Sequence, residues 1–95
     1  MSVDRVRAAI ASNFLFLRET PGGDTECDPR NAPCGEEWVV ITRYACEDFW
    51  DLHAWVEWAP TKAEAQAKAR AARGVCSGLN SIVYQAVVRT KDLTE

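Results

Sequence analysis

Apolar residues near the start of the chain recur at Val3, Val6, Ile10, Phe14 and Leu17, which is the spacing of one helical face. Ser2 can cap that helix, and Asp4 falls in the first turn, where the helix dipole favours a carboxylate. The pattern predicts an N-terminal helix. Its C-terminal half has two readings, because "NFLFLRE" also suits a short strand after a helix that stops near Ala11. From residue 20 to 35, "TPGGDTECDPRNAPCG" has no apolar period and is dense in proline, glycine, aspartate and asparagine, so a long irregular loop is expected.

Beyond the loop the period drops to two. "EEWVVITRYA" (36–45) and "DLHAWVEWA" (51–59) read as strands joined by "CEDFW" into a hairpin, and "SIVYQAVVRT" (81–90) as a further strand, apolar on both sides. That last run predicts a central strand or a sheet covered on both faces. Between the second and third strands, Thr61 with Glu64 forms a capping box and Gly74 is a C-cap signal, predicting a helix over 62–73. Seven of the fourteen residues from 59 to 72 are alanine, and Ala65, Ala69 and Ala72 share one face, so this helix can lie close on a sheet. The tail, 91–95, is expected to fray. These elements predict an α+β fold: an antiparallel sheet of three to four strands, an N-terminal helix, and an Ala-rich helix between the hairpin and the last strand. A length of 95 residues, 47% of them hydrophobic, fits one globular domain over 1–95.

The hairpin raises the sharpest question. Three of the four tryptophans fall within "DFWDLHAWVEW". On a strand, Leu52, Ala54, Val56 and Trp58 share one side, a core face, while His53, Trp55 and Glu57 share the other. Trp50 falls in the turn. Either the N-terminal helix covers Trp55, or Trp55 and Trp50 anchor a protein interface, where tryptophan is enriched. Stacking on a nucleic-acid base would need basic neighbours, and this hairpin offers only Arg43.

Charge supports the same surface. The formal net charge of -3 conceals a split, since residues 1–60 hold five basic and eleven acidic side chains and residues 61–95 hold six and three. Glu47, Asp48, Asp51 and Glu57, with Glu36 and Glu37 at the other end of the hairpin, can make one acidic edge, suited to steering a basic protein partner or simply to solvation. A nucleic-acid reading would rest on Lys62, Lys68, Arg70, Arg73 and Arg89, but Lys68 lies away from Arg70 and Arg73 on a helical wheel. Nucleic acid is therefore the secondary expectation.

Catalytic and metal chemistry find little support. Cys27 and Cys34 have six residues between them, wider than the common zinc spacing, and a disulfide between them fits better than a metal; free thiols suit a reducing compartment. Cys46 and Cys76 read as small buried hydrophobes. Asp24, Glu26 and Asp28 alternate as in a calcium loop but lack its central glycine and closing glutamate. His53 is the only histidine, and no phosphate-binding glycine motif or nucleophile elbow is present. No enzyme activity, cofactor or metal is expected. No apolar run approaches the ~20 residues that span a bilayer, so a cytoplasmic protein without membrane contact is expected, as monomer or homodimer.

A tryptophan-bearing hairpin followed by "PTKAEAQAKARAA" and a closing strand, over residues 36–90, resembles the small single-domain proteins of bacteriophages and mobile elements, anti-CRISPR inhibitors among them. The resemblance lies in the pattern and carries no residue roles with it. It implies a compact acidic inhibitor that blocks a host defence complex by binding it. The expected function is a small non-catalytic protein-binding module acting through Trp50, His53, Trp55, Glu57, Glu47, Asp48 and Asp51. The alternative is a nucleic-acid-associated module using the basic helix and Arg89.

Overall fold

The computed structural model describes residues 2–12, 14–46, 53–75 and 80–93. Helix α1 (Ser2–Ala11) is followed by β1 (Phe16–Thr20), β2 (Gly23–Glu26), β3 (Trp38–Cys46), β4 (His53–Ala59), α2 (Lys62–Val75), β5 (Asn80–Arg89) and a 3-10 turn at Thr90–Leu93. The strands form one sheet in the order β2-β1-β4-β3-β5. The α+β class holds, but the sheet has five strands and is mixed: β1 runs parallel to β4, while every other pairing is antiparallel.

The extra strands come from the region expected to be irregular. The helix ends at Ala11, and "FLRET" forms β1, as the second reading of that segment had it. Residues 23–26 of the expected long loop pair with β1 through a tight Pro21-Gly22 connection, and Gly23 adopts φ 119°, a conformation that a side chain would resist. Charged and threonine side chains gave β2 no apolar alternation, because all four of its residues are exposed. Cross-strand hydrogen bonds alone define it.

Strand β3 is paired on both sides, by β4 and by β5. Val39, Val40, Ile41 and Thr42 are all nearly inaccessible, so successive residues are buried on opposite faces. β5 occupies an edge of the sheet; its apolar character on both sides reflects coverage by a helix on each face rather than a central position. On one face, Val6 of α1 clusters with Phe16, Val39, Ile41, Val56 and Trp58. On the other, Ala65 and Ala69 of α2 pack against Val40 and Ala59. The alanine face brings α2 close to the strands, as its small side chains allow.

Helix α2 begins at the expected cap, with Glu64 N–H donating to Thr61 Oγ1 at 3.2 Å. It continues through Gly74 to Val75 rather than ending at a glycine cap, and Gly74 has no left-handed φ. The tail is better ordered than expected through residue 93. Leu93 is buried, Thr90 N–H donates to Glu37 O at 2.8 Å, and the Arg7 guanidinium donates to Asp92 O at 2.9 and 2.6 Å. Among the described residues no helix is long and apolar enough to cross a membrane.

Candidate functional site

Strand parity sorts the aromatic residues of β4. Ala54, Val56 and Trp58 are buried on the α1 face, in the expected core. Trp58 Nε1 donates to Pro29 O at 3.2 Å, which satisfies the one polar atom the ring takes into the interior. Trp55 and Glu57 turn to the opposite face, where Trp55 is half-buried and Glu57 exposed. Of the two readings of Trp55, coverage by the N-terminal helix does not hold: α1 lies across the Trp58 face, and the neighbour on the Trp55 side is α2.

The sheet is forked at this point. β1 and β4 pair only at Phe16 with Ala54 and Leu17 with Trp55, after which β1 follows β2 to Thr20 and leaves β4 behind. Ala54 N–H donates to Leu15 O at 3.2 Å, and the alternation of an antiparallel ladder then turns the backbone groups of Val56 and Trp58 the same way, into the fork. Trp58 O finds a side-chain partner there, accepting from Lys68 Nζ of α2 at 2.7 Å. This inward role removes Lys68 from the set of solvent-facing cations expected on the helix.

A cleft of about 690 Å³ occupies the fork. Trp55 and Glu57 line it from β4, Arg18 and Glu19 from β1, Asp24 from β2, and Glu36 from the loop before β3. Among the described residues four carboxylates thus face a concavity whose two cations are Arg18 and the engaged Lys68. Residues of both sheet faces reach this cleft because the divergence of the strands opens the sheet edge-on.

The segment 27–36, which supplies Pro33 and Glu36 to the cleft, is built rather than loose. Cys27 N–H donates to Phe16 O at 2.9 Å, and Asp28 accepts from Arg30 N–H at 2.9 Å while forming an ion pair with its guanidinium at 2.7 Å. Hydrogen bonding from Arg30 holds the Asp28 carboxyl below its ordinary pKa. This turn presents the buried Pro29 carbonyl to Trp58. Cys27 and Cys34 are free thiols, not a disulfide, and partial burial raises the Cys27 pKa, with Arg18 opposing the rise.

The other expected binding residues fare differently. Trp50, Glu47, Asp48 and Asp51 lie outside the described residues, as do Cys76 and the side chains of Cys46 and His53; the His53 backbone pairs with Tyr44 in the hairpin. Of the basic set, Lys62 and Arg89 flank the Trp38 ring at 5.9 and 5.4 Å from its centroid. Arg73 donates to Gln85 Oε1 at 2.5 Å, and Arg70 is exposed. The basic residues therefore divide among separate tasks and do not form one stripe.

Sequence reasoning had Glu36 among the hairpin acids and Asp24 only in a calcium-like alternation, and it missed Arg18 and Glu19, which join Trp55 from β1. The Pro-Gly pair between "RET" and "GDTE" is the signal that could have revealed the β1–β2 hairpin. Comparison with protein-family models, with curated proteins and with solved structures finds no match to this chain.

Proposed function

We propose that this chain is a non-catalytic binding protein that takes a basic segment of a protein partner into the forked cleft beside β4. One observation carries the reading: Trp55 and Glu57 share a concavity with Glu19, Asp24 and Glu36. A rigid aromatic surface provides contact area at small entropic cost, and clustered carboxylates speed and orient the approach of a cationic chain. His53, and the residues Trp50, Glu47, Asp48 and Asp51 that precede β4 in sequence, belong to the same proposed surface. The narrower form, a phage-encoded inhibitor of a host defence complex, follows from the resemblance of the 36–90 pattern. Such complexes handle nucleic acid with basic surfaces, and an acidic cleft is suited to occupy one.

Affinity capture from a bacterial lysate tests this, with the tagged chain run beside folded Trp55→Ala and Glu19→Gln/Glu57→Gln variants and read by mass spectrometry. The expected result is one stoichiometric protein, lost with Trp55→Ala and weakened by the double variant or by added salt. A protein retained equally by both variants would refute the cleft as its site. Capture of nucleic acid with steep salt dependence, abolished by Arg70→Ala/Arg89→Ala, would replace this reading with the basic-surface one.

A further inference from the structure

On the α1 face of the sheet a second cavity, of about 450 Å³, lies between α1 and the strands. Arg5 and Ser12 line it from the helix and the residue after it, Phe14 from the approach to β1, Arg43 from β3 and Tyr84 from β5. Arg43 and Tyr84 are cross-strand partners, and the β3–β5 register shifts immediately after them. Irregularities of this kind re-aim side chains locally.

Among the described residues two buried donors here have no hydrogen-bond partner, Arg43 Nε and Tyr84 Oη. Buried polar groups are nearly always paired, so two orphans on adjoining side chains in one cavity require an explanation. The Arg43 guanidinium is held over the Phe14 ring, 4.5 Å from its centroid, and Arg5 lies 5.2 Å from the centre of the Tyr84 ring. These stacks hold both cations, and among the described residues neither is paired with a carboxylate. No carboxylate lines the cavity among the described residues. Burial raises the Tyr84 pKa, against the influence of Arg43 and Arg5, so its hydroxyl remains a protonated donor at neutral pH.

We infer that the cavity between α1 and the β3–β5 pair binds a small oxyanion, a phosphate or carboxylate group, through Arg43 Nε and Tyr84 Oη with Arg5 supplying further positive charge. The chemistry is a charge-assisted donor set carried by two cross-strand neighbours that line one cavity. A guanidinium and a phenol can both donate to one oxyanion, while the alanines of α1 leave room for the group that bears it. This site shares no lining residue with the Trp55 cleft and stands independently of the function proposed for it.

The test is an NMR titration of the full chain with sodium phosphate, and separately with sodium acetate, at constant ionic strength set with chloride. The Arg43 Nε–H signal and the backbone amides around Tyr84 are followed. Saturable shifts with phosphate, weakened about tenfold in Tyr84→Phe and in Arg43→Lys, are expected from the loss of one charge-assisted donor. Both variants keep the ring or the charge, and their amide spectra report folding; should Arg43→Lys unfold, Tyr84→Phe alone decides. Saturation by phosphate only assigns a phosphoryl ligand, and saturation by acetate as well assigns the carboxylate class. Shifts no larger than those with chloride, or shifts unchanged in Tyr84→Phe, would overturn the inference.

Discussion

Trp58 and Trp55 stand three positions apart on one strand, and the odd separation sends them to opposite faces. Trp58 enters the core beneath α1, with its indole N–H satisfied by Pro29 O. Trp55 is half-buried on the α2 side and lines an open cleft. The difference originates in what covers each face. α1 presents Val3, Val6 and Ile10 and fills the space above the strands with branched side chains. α2 presents alanines, which pack against Val40 and Ala59 and, at Ala72, line the cleft beside Trp55 without filling it. A large residue is buried where the covering helix offers bulk, and remains accessible where the helix offers only methyl groups.

Replacing each tryptophan by alanine tests this contrast most severely. Trp58→Ala deletes a buried ring and its hydrogen bond, at an expected cost of about 3 to 5 kcal/mol. That is a large share of the ~5 to 15 kcal/mol available to a small domain. Trp55→Ala is expected to cost about 1 kcal/mol, because the site is already half open. Urea unfolding of the two variants against wild type gives the comparison. Equal costs would mean that Trp55 is as much a core residue as Trp58, and the binding cleft would lose its anchor.

The sequence announced the contrast between these faces more readily than it announced the cleft. Alternation along "HAWVEWA" separates Trp58 from Trp55, and the capping box at Thr61 locates the start of α2, because both are local signals. The fork is not local. It depends on β1 pairing parallel with a strand more than thirty residues away, and on β2, whose exposed Gly-Asp-Thr-Glu shows no apolar period. The direction in which α1 folds back was equally hidden, since its apolar stripe suits either face of the sheet. Lys68 illustrates a third limit. Helical spacing placed it apart from Arg70 and Arg73, yet only the tertiary structure shows its ammonium donating to Trp58 O.

That lysine provides a test of intermediate size. Lys68→Met keeps the aliphatic stem and removes the donor that meets the strand carbonyl at 2.7 Å. A loss of about 1 to 2 kcal/mol is expected, from a partly buried charge-assisted hydrogen bond. The same substitution should speed hydrogen exchange along the open edge of β4 more than in β3, which is paired on both sides. An unchanged urea midpoint and unchanged exchange would make Lys68 another solvated cation of α2 and restore it to the basic surface.

The smallest effect is expected at the turn that carries Pro29. Asp28 is ionised in an arrangement that Arg30 favours, so its folded pKa lies below the ordinary carboxylate value. The stabilisation this provides is present above that ordinary value and is lost as pH falls through the lower folded one. Asp28→Asn retains an oxygen that can accept from Arg30 N–H but removes the charge, so the turn persists with a weaker tie between its two side chains. Thermal unfolding should place the variant slightly below wild type at neutral pH, with the gap closing as the solution is acidified through the titration of Asp28. Because both side chains are substantially exposed, added salt should also narrow the gap. A difference independent of pH would assign the effect to the geometry of the turn beneath Trp58 rather than to its ion pair.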